Sequence, residues 1–406
     1  MTIKEHCRAC KSPMRDVLSL GDIVPVDFVA PGESVRPAEP LTLAECESSG
    51  CGLVQLRHTL HRDSLFRRYW YESGLNASMV SSLQDVIDGI RKRVSLEPGD
   101  VVIDIGANDG TLLGLYGAGV LRIGFDPALN LASAASSTCD RFINDYFETS
   151  EVDLPKAKVI TSIAMFYDLD EPRAFVARIA DVLCPDGIWV MQMTDLVRML
   201  RANAFDNICH EHLCYYPLRV FVSMVEEYGL EVFDVEFNDV NGASVRAYVG
   251  KRGARTVETT VAAALADEYA YLADDAIGKF AKHVEDAKTK IVGFVRTELA
   301  AGKRIHAMGA STKGNTLLQY FGLSNAEITV AAEVNRAKLG LRMGGSDVPI
   351  VSQQESLDAA PDYYLVLPWH FINFFLAKQA DYLSKGGALI TPLPIPRVYG
   401  HEARDL

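Results

Sequence analysis

A buried strand that runs into a glycine turn and a helix constrains the fold of this chain more than any other stretch. Its residues are "VVIDIGANDGTLLGLY", 101–116. "VVIDI" is continuously apolar except for one acid, as expected for a strand of a parallel sheet covered on both faces. Further apolar strands alternate with helical patterns up to residue 250. This order predicts a doubly wound α/β sheet that ends in an antiparallel hairpin.

The glycine loop after this strand lies among acidic residues and lacks the G-x-G-x-x-G spacing of dinucleotide sites. A pyrophosphate prefers bare backbone N–H groups, whereas a zwitterionic methionine tail with a sulfonium tolerates carboxylates. The loop therefore indicates S-adenosylmethionine (SAM) and a class I methyltransferase; a Rossmann domain for another nucleotide is the alternative. The next strand ends in an acid suited to the ribose, and "DYF" would flank the adenine. The predicted cofactor-binding residues are Asp104, Gly106, Asn108, Asp109, Gly110, Asp126, Asp145, Tyr146 and Phe147.

Two close cysteine pairs mark the N-terminal region. They are "CRAC", with Cys7 and Cys10, and "CESSGC", with Cys46 and Cys51. Four thiolates in two pairs suit a tetrahedral zinc ion whose positions are all closed by protein, so the metal would be structural. The alternative is four buried thiols. No apolar leader precedes the first pair, which predicts a cytoplasmic protein.

A second strand–glycine turn–helix unit begins at "KRIHAMGASTKGNTLLQYFGL", 303–323. Lys313 precedes Gly314, so the order is not that of a Walker A loop. A loop of small residues with one lysine can still hold a diphosphate at a helix start; the alternative is a packing turn. A helical stretch rich in Ala, Glu and Lys precedes this unit.

The stretch "FDNICHEHLCYY", 205–216, places two histidines around a glutamate. It lacks the H-E-x-x-H spacing of a zinc helix and offers too few ligands for a metal. Packing is a second reading, but three buried polar side chains each need a partner. A third reading is proton abstraction, since a neutral imidazole is the usual base near pH 7.

The chain has 406 residues and a net charge of −13, without a basic run. These values argue against nucleic-acid or anionic-membrane partners. No apolar stretch is long enough to cross a bilayer. A small-molecule substrate and a monomeric protein are expected.

The order of these pieces resembles one family, the SAM-dependent nucleotide-sugar C-methyltransferases with an N-terminal zinc-binding domain, typified by the TDP-tetronitrose C-3 methyltransferase. The resemblance covers essentially the whole chain. It is carried by the cysteine pairs, "YWYESG", "IDIGANDG", "FDNICHEH", "NGASVR", "GASTKGNT" and "LPWHF".

The resemblance implies a reaction and its residues. A histidine removes the proton next to the ketone of a nucleotide-linked keto-deoxysugar, TDP-linked in this family, and the enolate takes the methyl group of SAM. The family's base corresponds to His212 and its active-site tyrosine to Tyr71, while this chain has Cys209 where the family often has a tyrosine. The remaining candidates are Glu211 and His210 for catalysis, and Asn76, Lys313, Asn315 and Arg246 for the substrate.

Two other functions stay open at this point. The same site could methylate oxygen, nitrogen or a carbon outside a sugar, or the chain could be a non-catalytic nucleotide-binding scaffold. The predicted organisation is a zinc-binding domain (1–60), a SAM-binding methyltransferase domain with a helical lead-in (61–251), a helical linker (252–299) and a second Rossmann-like domain for the nucleotide sugar (300–406).

Overall fold

The structure, a computed structural model, describes residues 1–47, 50–400 and 402–406. The N-terminal part consists of short antiparallel strands followed by two helices. These elements are β1 (Thr2–Ile3), β2 (Met14–Ile23), β3 (Phe28–Val29), β4 (Glu39–Cys46), β5 (Val54–Leu56), β6 (His58–Thr59), α1 (Arg62–Phe66) and α2 (Ala77–Arg91).

The central part alternates strands and helices, as the sequence predicts. Its elements are β7 (Val101–Ile105), α3 (Thr111–Gly114), β8 (Leu121–Phe125), α4 (Ala132–Thr138), β9 (Arg141–Ile143), β10 (Ala157–Ile163), α5 (Pro172–Val182), β11 (Leu183–Thr194), α6 (Leu196–Arg201), β12 (Cys214–Tyr215), α7 (Leu218–Glu226), β13 (Leu230–Asn238) and β14 (Ser244–Lys251). The seven-stranded sheet has the order β13-β14-β11-β10-β7-β8-β9. Strands β7 to β11 are parallel, and β13 and β14 form the expected antiparallel hairpin.

Two long helices, α8 (Thr259–Leu272) and α9 (Ala276–Ala300), lead to the C-terminal part. This part contains β15 (Ile305–Met308), α10 (Thr312–Phe321), β16 (Ala331–Glu333), β17 (Arg342–Met343), β18 (Ile350–Ser352), α11 (Gln353–Asp358), β19 (Tyr363–Val366), α12 (Ile372–Lys378), α13 (Ala380–Ser384), β20 (Ala388–Thr391), β21 (Arg397–Tyr399) and β22 (Ala403–Asp405). Its sheet has the order β18-β16-β15-β19-β20-β21-β22, parallel from β18 to β20. The predicted α/β fold class, with a second Rossmann-like unit, is confirmed.

The N-terminal part shares strands with both other parts. β12 of the central part pairs with β5 and completes the sheet β12-β5-β4-β2. β17 of the C-terminal part pairs with β3. The domain boundaries at residues 60, 251 and 299 therefore stay a proposal, because hydrogen-bonded strand pairs join the N-terminal part to both other parts.

The guanidinium of Arg8, which lies between the first two cysteines, ties the N-terminal sheet to the central part. It is 1% exposed. Its Nε donates to Asp170 Oδ1 at 3.0 Å, its Nη1 to the carbonyl of Leu56 at 2.6 Å and its Nη2 to Thr59 Oγ1 at 2.6 Å. A buried guanidinium stabilises a fold most when each of its nitrogen atoms has a hydrogen-bond partner, as in Arg8.

Within the part of the chain that the structure describes, no helix combines the length and apolar composition that crossing a bilayer requires.

We predict that Arg8→Met lowers the free energy of unfolding by about 3 kcal/mol, because it leaves buried acceptors without donors. Arg15→Met is the matched control, since Arg15 is 63% exposed and its only ion pair among the described residues is with Glu45. Its loss should be below about 1 kcal/mol. Urea unfolding of both variants checks this, and equal losses would contradict the central role of Arg8.

Candidate active site

One cavity of about 2040 Å³ lies where the carboxyl ends of the two large sheets meet. Its walls come from the connecting segment after β6, the loops after β7 to β10, the motif 206–213 and the loops after β15, β16 and β19. Pockets for one small ligand typically measure about 300–1,000 Å³. The cavity therefore has room for two ligands side by side.

The glycine loop after β7 forms one end of this cavity. Gly106 has a φ of +76°, and an added Cβ would lie 3.0 Å from Met165 Cγ. A side chain here would fill the space over the strand end, so the loop needs glycine. Asp104, at the end of β7, accepts a hydrogen bond from Thr161 Oγ1 at 2.5 Å. The pKa of Asp104 is raised to about 7: burial raises it most, the Thr161 bond offsets part of this shift, and nearby Asp126 adds a smaller increase.

Asp126 stands at the end of the next strand, as predicted. Its Oδ2 accepts from the N–H of Asn108 and its Oδ1 from the N–H of Ala128, each at 2.8 Å. Burial raises the pKa of Asp126 to about 6, against the opposing effect of these bonds. The carboxyl is thus fixed in orientation at the cavity wall.

Asp109 and Gly110, which the sequence analysis assigns to cofactor binding, lie outside the cavity wall. Asp109 accepts from the N–H of Gly74 at 2.7 Å and from Thr111 Oγ1 at 2.6 Å. Gly110 has a φ of +82° and packs against Thr138. Neither belongs to the described residues that line the cavity. Their positions support the loop and its contact with the connecting segment, so the geometry does not support a direct cofactor contact for either.

The "DYF" stretch reaches the same end of the cavity. Tyr146 donates its phenol to Asp63 Oδ1 at 2.9 Å, and the guanidinium of Arg62 lies 3.7 Å from its ring centroid. Asp145 and Phe147 also line the cavity. Phe147 is only 1% exposed and belongs mainly to the aromatic core.

His212 is held by a backbone carbonyl. Its Nδ1 lies 2.7 Å from the oxygen of Asn207. Because a carbonyl can only accept, Nδ1 carries the proton and Nε2 keeps a lone pair. The ring contacts the ring of Tyr167, with centroids 4.2 Å apart. The pKa of His212 is lowered to about 3: burial lowers it most, the charge of Lys313 adds to this shift, and the Asn207 carbonyl offsets part of it. His212 is therefore a neutral acceptor at the cavity wall.

Two carboxyl groups, those of Glu211 and Asp168, flank the contact between His212 and Tyr167. Both line the cavity. One buried oxygen of each, Asp168 Oδ1 and Glu211 Oε2, has no hydrogen-bond partner among the described residues. Burial raises the pKa of both groups, and Glu211 raises that of Asp168 further. The two residues thus place carboxyl groups in the cavity wall beside His212.

Two phenols from the connecting segment line the cavity. Tyr71, the predicted one, is 38% exposed, and burial raises its pKa to about 12, with a smaller effect from Asp109. Tyr69 lies deeper: burial raises its pKa, and the nearby charges of Asp168 and Glu211 raise it further.

The sequence analysis missed Tyr69, Tyr167 and Asp168. Their only local signal is the position of "FYD" just after β10 and the repetition of tyrosine in "YWY". The position of "FYD" after β10 places Tyr167 and Asp168 at the carboxyl edge of the sheet, where ligands bind in open α/β folds.

Two of the substrate candidates line the cavity. Asn76 lines it and also caps α2 by accepting from the N–H of Ser78 at 3.0 Å. Lys313 reaches from the C-terminal part to Asn207 Oδ1 at 2.6 Å. Lys313 is thus beside the loop that holds His212, at the same end of the cavity.

Three other candidates lie away from the cavity wall formed by the described residues. Nε2 of His210 lies 3.2 Å from the carbonyl of Glu39. Arg246 is 2% exposed and its guanidinium pairs with Asp85 at 2.8 Å. Asn315 is fully buried in α10. His210 and Arg246 have partners within the fold, which argues against the predicted catalytic role of His210 and the substrate role of Arg246. The side-chain amide of Asn315 has no hydrogen-bond partner among the described residues, so its substrate role stays a prediction.

The four predicted zinc ligands converge at the N-terminus. The sulfurs of Cys7, Cys10, Cys46 and Cys51 all lie within 4.8 Å of one another. The distances are 3.6 Å for Cys7–Cys51 and 3.4 Å for Cys10–Cys46. A zinc ion about 2.3 Å from four sulfurs would separate them by about 3.8 Å. No cysteine among the described residues forms a disulfide, and the donor set fits zinc.

Comparisons with known proteins decide the family. The family profile "C-methyltransferase C-terminal domain" matches residues 239–394, and "Methyltransferase domain" matches residues 79–235. C-methyltransferase NovU of Streptomyces niveus is 31% identical over 413 residues, covering 98% of each chain. The chain belongs to the C-methyltransferase family.

Solved structures similar to part of this C-methyltransferase include two methyltransferases. Magnesium protoporphyrin IX methyltransferase (ChlM) of Synechocystis PCC 6803, solved with bound SAH, is 12% identical; the match covers 43% of this chain and 88% of that one, with a TM-score of 0.36. A S-adenosylmethionine-dependent methyltransferase of Clostridium acetobutylicum is 9% identical over 43% of this chain and 92% of that one, with a TM-score of 0.35.

The family membership confirms three predictions: methyltransferase activity, SAM as the methyl donor, and the family resemblance on which they depended. The structure fits this cofactor, because the bare Gly106 turn leaves room at the end of β7 between two buried carboxyls.

We predict that Asp104→Asn stabilises the ligand-free C-methyltransferase at pH 8. When the pKa of a carboxyl is raised by folding, the free energy of unfolding of the protein falls as the pH rises from about 4 to about 7. For Asp104 this loss is about 4 kcal/mol at most, and a neutral amide avoids it. The difference from wild type should vanish near pH 4 in thermal unfolding.

Asp140→Asn is the control with the opposite sign, because its bond to Arg122 lowers the pKa of Asp140. It should lower the unfolding temperature at pH 8. An Asp104→Asn effect that does not vary with pH would contradict the raised pKa.

Proposed function

We propose that this C-methyltransferase acts on a nucleotide-linked keto-deoxysugar, TDP-linked as the resemblance implies, and that His212 removes the proton next to the ketone. The observation that carries the proposal is the bond from His212 Nδ1 to the Asn207 carbonyl at 2.7 Å. It leaves Nε2 as an acceptor in a cavity that also contains the glycine loop.

Carbon methylation requires a carbon nucleophile, and removing a proton next to a ketone makes one. The low pKa of His212, about 3 because of burial and the charge of Lys313, keeps the imidazole unprotonated at neutral pH. An anionic diphosphate and the developing enolate charge would raise that pKa in the complex, since opposite charges favour the imidazolium. His212 would thus gain basicity as the reaction requires it.

The enolate oxygen needs a hydrogen-bond donor where its charge develops. Tyr71 is the predicted donor, and the deeper phenol of Tyr69 offers the same group nearer to Glu211 and Asp168. Lys313 lies beside the Asn207 loop and adds positive charge at this end. His210 does not suit this task, because its Nε2 lies against the Glu39 carbonyl.

The wall next to His212 suits a sugar ring. The carboxyl groups of Asp168 and Glu211 line this wall, and carboxyl groups form hydrogen bonds with sugar hydroxyls. Asn76 and Lys313 remain candidates for the rest of the substrate. Of the predicted cofactor residues, Asp104, Gly106, Asn108, Asp126, Asp145, Tyr146 and Phe147 are the ones we propose for SAM. When bound, SAM supplies a methyl group on an electron-poor sulfonium.

We also propose that Cys7, Cys10, Cys46 and Cys51 bind one structural zinc ion. It would supply folding energy to the N-terminal part, whose hydrophobic strands are short. A monomeric state and a cytoplasmic location stay predictions.

The first test concerns proton abstraction. His212→Ala should keep the SAM affinity of the wild type by calorimetry and reduce methylation of a TDP-4-keto-6-deoxyhexose by about 10²–10⁴-fold. His283→Ala, on the exposed side of α9, should leave both values unchanged.

Exchange in D₂O without SAM separates carbon from oxygen or nitrogen methylation. Wild type should exchange the hydrogen next to the ketone, and His212→Ala should not. A variant that methylates the sugar at the wild-type rate would disprove the proposed base, and methylation without exchange would favour an oxygen or nitrogen acceptor.

The second test concerns zinc. Metal analysis should find about one zinc ion per chain, and Cys46→Ser should lose it and unfold at a lower temperature. Cys184→Ser, outside the cluster, should keep both values. Equal zinc content in wild type and Cys46→Ser would refute the site.

A further inference from the structure

The C-terminal sheet repeats the glycine turn of the SAM loop. Gly309 follows β15 with a φ of +84°, as Gly106 follows β7 with a φ of +76°. An added Cβ at Gly309 would lie 3.0 Å from Pro368 Cδ, and one at Gly106 would lie 3.0 Å from Met165 Cγ. Both neighbours follow the next parallel strand of their own sheet, β19 and β10 respectively. The two turns therefore leave the same kind of space above a strand end.

The repetition extends to a carboxylate. Glu333 ends β16, the strand next to β15, and Asp126 follows β8, the strand next to β7. One oxygen of Glu333 accepts from the N–H of Ala310 in the glycine turn at 2.9 Å, and the other from the N–H of Asn335, two residues on, also at 2.9 Å. Asp126 makes the same pair of bonds, to the N–H groups of Asn108 and Ala128.

Both carboxylates face one cavity. Glu333 lines it together with Gly309, Ala310, Val334 and Asn335. A carboxylate oxygen has two lone pairs, so Glu333 Oε2 can accept one more hydrogen bond besides that from Ala310. An acid at this position of a βαβ unit typically accepts the hydroxyl of a nucleoside sugar.

We infer that Glu333 binds the pentose hydroxyl of the nucleoside diphosphate part of the substrate. The assignment rests on the proposed function, which supplies a nucleotide-linked substrate, and adds its orientation: the nucleoside lies over the C-terminal sheet and the reacting sugar extends toward His212. Two similar turns thus hold two nucleosides, one for the methyl donor and one for the acceptor.

The test alters the hydrogen bond between Glu333 and the pentose hydroxyl from both partners, by changing the nucleotide and by changing the protein. Binding of TDP and of 3′-deoxythymidine diphosphate is measured by calorimetry on the full chain. Wild type should bind TDP roughly 10–100-fold more tightly than the 3′-deoxy analogue, as for a hydrogen bond to a charged group. Glu333→Gln loses the charge and keeps only a neutral acceptor, so its preference for TDP should fall well below that of wild type, with unchanged SAM affinity. Glu285→Gln, an exposed change of the same kind on α9, should retain the wild-type preference.

The outcomes separate this assignment from the proposed function. Wild type that binds TDP and its analogue within twofold overturns the role of Glu333, because the ligand comparison does not depend on how the variant folds. A preference in Glu333→Gln as large as that of wild type overturns it too. If wild type binds neither nucleotide, the assignment fails; the proposed function fails only if His212-dependent exchange of the keto-sugar is also absent.

Discussion

The pairing of β12 with β5 determines where the histidine motif lies. Cys214 and Tyr215 add a strand to the N-terminal sheet, and the N–H of Leu56 donates to the carbonyl of Leu213 at 2.9 Å. The peptide that carries His212 is thereby fixed by a sheet built from the other end of the chain. The Arg8 guanidinium fixes the facing segment through Asp170, three residues after Tyr167. The cysteine-rich part is thus a structural wall of the cavity.

Much of the fold could be predicted because its signals are local. The apolar run of β7, the positive φ at Gly106 and the acid after β8 each depend on a few consecutive residues. The cysteine pairs were equally informative, because their chemistry leaves few alternatives. His212 was identified by resemblance, and its tautomer became evident only with the Asn207 carbonyl in place.

Long-range contacts explain what the sequence could not reveal. His210 and His212 are two residues apart, yet one faces Glu39 and the other the cavity, since the chain turns between them. Arg246 looked suited to an anion, but Asp85 lies 161 residues earlier and pairs with it. Tyr69 and Asp168 come from distant segments that meet only when β12 completes the sheet. Neither segment carries a spacing that marks it as part of a site.

The shared strands also limit how such proteins can be recombined. β3 pairs with β17 and β5 with β12, so the N-terminal part has hydrogen-bonded edges that only its own partners complete. A chimera that exchanges this part between relatives as a separate module would leave two sheet edges mismatched. Crossovers that carry the complementary strands along would preserve the architecture, so substrate range in this lineage should diversify through individual side chains of the cavity and seldom through domain shuffling.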